Sequence, residues 1–162
     1  MTRLAVGVLL VALMAPVVSA ADFCISLDSG EQIVLKNFSL KKGKTFAVGG
    51  YSNLTQMGGV IHFPASGQAI ASSDGSQLVL GISKYFGELS HTLGSSENLI
   101  ASLAAASQTI SLAFVAVPGK NVGPGATGLW ASVVVSQGGT TFPGGNASIV
   151  ACGKNDLGLT LP

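Results

Sequence analysis

The strongest signal along this chain is strict alternation of apolar and polar positions. Over residues 108–117, Ile110, Leu112, Phe114 and Ala116 share one face of an extended segment, while Thr109, Ser111, Ala113 and Val115 share the other. That period of two is what a half-buried β-strand requires. The same period groups Leu78, Leu80, Ile82 and Phe86, then Leu129, Ala131, Val133 and Val135, then Phe46 with Val48, and Ile33 with Leu35. Turn residues punctuate these runs. Asp74-Gly75 separates 68–73 from 76–86 and predicts a type I′ hairpin. Lys42-Gly43-Lys44 turns 31–40 into 45–51. Gly138-Gly139 together with Pro143-Gly144-Gly145 predicts a longer connection from 129–137 to 148–152, and 157–161 reads as a short final strand.

One segment departs from this rhythm. Ser95-Ser96-Glu97 offers an N-cap and an acidic first turn, and Leu99, Ile100 and Leu103 follow at helical spacing, which predicts a short helix over about 96–106. The chain is therefore expected to be mainly β, an antiparallel small barrel or sandwich of about eight or nine strands with that one helix. Closure into a barrel is the preferred form. Charged residues make up only 9% of the chain, against about 25% in ordinary soluble domains. Few charges are thus available to guard open sheet edges, and a barrel has none to guard.

Residues 1–20 carry the pattern of an export signal: Arg3, an apolar run over 4–15, and Val18-Ser19-Ala20 as the cleavage site. The run is shorter than the roughly twenty residues that span a bilayer, and Pro16 interrupts it. The expected organisation is a signal peptide, 1–20, followed by a single secreted or periplasmic domain, 21–162, with no transmembrane segment. In an oxidising compartment Cys24 and Cys152, the two cysteines of the chain, are expected to form a disulfide joining the first strand to a late one.

Loss of Arg3 with the leader leaves seven lysines against seven carboxylates, so no general basic field exists to attract nucleic acid. Lys36, Lys41, Lys42 and Lys44 form one local cluster. It reads first as a solvated hairpin tip, with an anionic headgroup or partner as the functional reading. Asn37, Asn53 and Asn146 head glycan acceptor sequons, which matter only in a eukaryotic secretory pathway.

Catalytic chemistry is thin. The chain has no GxSxG, HExxH, GxxxxGK[ST] or GxGxxG motif. Its histidines are His62, whose alternation opposes Ile61 and Phe63, and His91, near Glu88. Neither lies in a metal-ligand pattern, so no enzyme activity, metal or cofactor is expected. The expected function is that of an exported, non-enzymatic binding protein holding a small apolar ligand in the barrel interior, against Leu80, Ile82, Leu112, Phe114 and Trp130. The alternative is an envelope or extracellular interaction module that recognises a protein partner or self-assembles.

Overall fold

The computed structural model describes residues 20–56, 59–85 and 107–153. Eight strands run in chain order: β1 (Ala21–Leu27), β2 (Glu31–Phe38), β3 (Thr45–Gln56), β4 (Gly59–Ala71), β5 (Gln77–Tyr85), β6 (Ser107–Val115), β7 (Trp130–Gln137) and β8 (Thr140–Val150). Each pairs antiparallel with the next, and β8 returns to β1 through Cys24↔Val150 to Leu27↔Ala147, closing an up-and-down barrel. The barrel form is thus shown over the sandwich. Residues 1–19 of the export signal, Phe86, His91, the helix over 96–106 and the strand over 157–161 lie outside the described residues.

Alternation fixes the two sides of the wall. Phe23, Ile25 and Leu27 of β1, Ile33 and Leu35 of β2, Leu78, Leu80 and Ile82 of β5, and Ile110, Leu112 and Phe114 of β6 point inward into one continuous core. Outward positions are mostly short and polar, as in Gln68, Ser83, Ser111 and Ser132. Where the barrel narrows, β4 places Ala65, Gly67, Ala69 and Ala71 inward, and these small residues make room for the Phe and Leu side chains opposite.

The turns refine the sequence reading. Residues 72–76 do join β4 to β5, but Gly75 N–H donates to Ser72 O at 3.0 Å and only Gly75 has positive φ there. This is a type I turn closed by a left-handed glycine, not the expected type I′, because Asp74 keeps a negative φ. Its carboxylate accepts bonds from Ser72 and Ser76 instead. Gly138 and Gly139, both at positive φ, form by themselves the two-residue turn between β7 and β8. Pro143-Gly144-Gly145 is therefore no connection. It lies within β8, where the register with β7 slips between Ser132 and Val134 and the strand bulges.

A disulfide joins Cys24 and Cys152, with Cα atoms 5.4 Å apart and a sequence separation of 128. Cys24 lies opposite Val150, and two residues further on the chain turns back to reach it. The expected bond thus fastens the seam at which the barrel closes.

Candidate functional site

The two ends of the barrel are built differently. At one end the 116–129 loop folds across the opening. Val122 enters it fully buried, its N–H bonded to Gly75 O at 2.9 Å, while Gly128 N–H donates to Ile149 O at 2.8 Å. Under this cap the rings of Phe23, Phe38, Phe46 and Phe114 pack in a chain of centroid distances between 4.6 and 6.4 Å. The end is closed because an apolar residue in a loop otherwise rich in Gly and Pro finds the unfilled mouth of an apolar barrel.

Toward the other end the interior holds charge. Lys84 Nζ donates to Glu31 Oε2 at 2.5 Å, and Ser52 Oγ donates to Oε1 of the same carboxylate. Both charged side chains are more than nine-tenths buried. The sequence reading passed over them, although the signal was present: Glu31 keeps the parity of Ile33 and Leu35, and Lys84 that of Leu80 and Ile82. A charge in phase with an apolar face must be buried, and a buried charge needs a partner.

The proposed ligand residues separate into two groups. Leu80, Ile82, Leu112 and Phe114 face inward as expected, each at most 2% exposed, and pack against one another's neighbours in the core. Trp130 does not join them. It is 66% exposed, a correction that follows from alternation itself, since Leu129 and Ala131 on either side of it take the inward positions.

Trp130 belongs to an apolar arc on the outer wall beside the capped end. Thr45 pairs with Ile70, Ile70 with Val79, and Val79 with Ala113. Val115 is the next outward position on β6, and Trp130 opens the neighbouring strand β7 at the same end of the barrel, beyond the last β6–β7 pair, Leu112↔Val133. Val115 and Val117 are 60% and 67% exposed. A cleft of about 410 Å³ opens beside them, lined in part by Ala116, Val117, Ala126, Leu129 and Lys120.

Among the described residues, the same end gathers most of the exposed cations. Gly43 N–H donates to Ser72 O at 3.0 Å, so the 41–44 turn lies against the 72–76 turn, which in turn holds the cap through Val122. Lys41, Lys42, Lys44 and Lys120 are exposed there. Lys41 Nζ stands 5.9 Å from the centre of the Phe46 ring. Lys36 is set apart, because its Nζ is 2.6 Å from Asp22. Asp74 is the acidic member of the group, held down to a pKa of about 2 first by the Ser72 hydroxyl and then by the N–H and hydroxyl of Ser76.

His62 is exposed on β4, with Nδ1 2.5 Å from Asn53 Oδ1 and its ring edge-on to Tyr51. Among the described residues no group of three or more His, Cys, Asp or Glu could hold a metal ion. No family model, curated protein or solved structure matches the chain.

Proposed function

We propose that this barrel is an exported, non-enzymatic binding module that works through the outer wall at its capped end. The observation that carries this reading is the arc of Ile70, Val79, Val115 and Trp130 on strands β4 to β7, with Val117 just beyond β6, large apolar side chains held in water. An apolar patch of this kind, on a wall whose other large exposed apolar side chains among the described residues are Val134 and Phe142, marks a contact surface, and an exposed tryptophan is the side chain most often found to anchor one.

The interior supports this reading over that of a carrier. Leu80, Ile82, Leu112 and Phe114 are occupied with one another and with the rest of the core, and Val122 closes the mouth above them. The polarity of the wall is also the reverse of a membrane-spanning barrel, which turns its apolar side chains to lipid and its polar ones to the lumen. The disulfide agrees with an oxidising compartment outside the cytosol.

Native mass spectrometry of the mature protein from its exported compartment, with organic extraction, tests the reading. The expected result is a chain lighter by two hydrogens for the disulfide and free of any stoichiometric small molecule. An apolar molecule retained one to one, and lost when Leu112 or Phe114 is enlarged or made polar, would replace the outer-wall reading with the carrier.

A further inference from the structure

We infer that the capped end of the barrel docks on an anionic phospholipid surface, with Trp130, Val115 and Val117 entering the interface and Lys41, Lys42, Lys44 and Lys120 meeting the headgroups. This inference rests on the outer-wall reading and names its partner.

Two independent features converge on that end. The apolar arc ends at Val117 and Trp130, beside the cap. Three of the four exposed lysines come from the 41–44 turn and the fourth from the cap loop, and hydrogen bonds draw both segments to the 72–76 turn between them. Among the described residues only Asp74 opposes them locally, since Asp22 is engaged by Lys36. Asp74 itself is turned into its own turn by Ser72 and Ser76.

The chemistry of the cations decides between a membrane and an acidic protein. Recognition of protein carboxylates favours the planar, bidentate guanidinium, yet the chain has no arginine beyond Arg3. Lysines on separate loops present mobile point charges, which suit an anionic surface whose headgroups can rearrange beneath them. Each lysine near such a surface contributes attraction that falls off within a Debye length. Tryptophan favours the same region, where the ring meets the acyl boundary and its N–H stays among the headgroups. Neither feature suffices alone. A few exposed aliphatic side chains bind lipid weakly, and diffuse lysines bind it without orientation, but together they supply both affinity and a defined approach.

Trp130 is the single tryptophan of the chain, so its emission reports the contact directly. The test is titration of the full mature protein with vesicles of equimolar phosphatidylglycerol and phosphatidylcholine, and with vesicles of phosphatidylcholine alone, read by fluorescence and by co-sedimentation. The expected result is a blue shift and sedimentation with the anionic vesicles only, reversed by high salt. Lys41→Gln, Lys42→Gln and Lys44→Gln should each weaken partitioning about fivefold, from the roughly 1 kcal/mol that one lysine contributes near such a surface. Val117→Ser should remove most of the blue shift with the fold intact by circular dichroism.

Absence of binding to either vesicle, or equal binding to both, overturns the inference. A blue shift that follows protein concentration without lipid assigns the arc to a second copy of the chain and also overturns it. The outer-wall reading would survive that last outcome, and its own test is the mass measurement.

Discussion

Lys84 Nζ and Glu31 Oε2 meet at 2.5 Å inside a barrel whose other inward positions are almost all apolar. The two residues are brought together across the lumen from β5 and β2, strands that do not pair with each other. Ser52 on β3 completes the contact to the carboxylate. Removing one partner leaves the other charge buried, which costs about 3 to 5 kcal/mol. Lys84→Met or Glu31→Met should therefore destabilise the protein strongly in urea unfolding, whereas the double variant should recover most of the loss. If the two single losses simply add in the double variant, the charges do not act as a pair.

Gly67 and Gly81 make a second, opposed prediction within one strand pair. A Cβ on Gly67 would lie 1.9 Å from the carbonyl oxygen of Gly81, so β4 and β5 approach too closely there for any side chain. A Cβ on Gly81 points outward and meets nothing within 4 Å. Gly67→Ala is expected to destabilise by about 3 kcal/mol or more, because backbone on both sides must move. Gly81→Ala should be neutral or stabilise by up to about 1 kcal/mol, as alanine loses less freedom than glycine on entering a strand. Thermal melts of the two variants give the comparison, and equal effects would show that the close approach is not a constraint.

The Cys24–Cys152 bond closes a loop with a separation of 128 residues. The chain-entropy model assigns such a loop somewhat under 5 kcal/mol. The β1–β8 ladder holds the same seam independently. The Cys24→Ala, Cys152→Ala protein should therefore keep its far-ultraviolet β signature while losing about 2 to 5 kcal/mol of unfolding free energy. Loss of the β signature at ambient temperature would mean that the seam cannot close without the bond.

Alternation carried most of the architecture. The inward sets on β5, β6 and β7 could be read residue by residue, and with them the barrel, because a strand with one buried face writes its orientation into every second position. The lengths of β3 and β4 were not legible. Their far ends run through Asn53, His62 and Pro64, where neither apolar alternation nor strand propensity is strong, and they are held by pairing with each other. Pro64 is accommodated because the pairing of β4 with β5 begins only at Ala65. The apolar arc was hidden for a different reason. Ile70, Val79 and Val115 sit at polar parity, and a sequence read for its core treats such residues as noise, whereas the register sets Ile70 beside Val79 and places Val115 at the next outward position beyond Ala113, the partner of Val79. The cap was hidden as well, since a loop residue such as Val122 has no period to announce its burial.

Asp74 gives the last prediction, and it concerns pH. Its carboxylate accepts the Ser72 hydroxyl at 2.5 Å, the Ser76 N–H at 3.0 Å and the Ser76 hydroxyl at 2.8 Å. These bonds favour the charged form and lower the pKa from 3.8 to about 2. A folded-state pKa below the unfolded one means that the unfolded chain binds the proton more readily. The contribution of the turn to stability is therefore present in full above the unfolded pKa of 3.8 and is lost as pH falls through about 2. The Asp74 side-chain carbon resonance should titrate near 2 in the folded protein, and Ser72→Ala should move it back toward 3.8. The same substitution should leave the anionic charge of Asp74 unchanged at neutral pH, because both values lie far below it. An Asp74 that titrates normally in the unsubstituted protein would mean that the serine bonds do not hold the turn in solution.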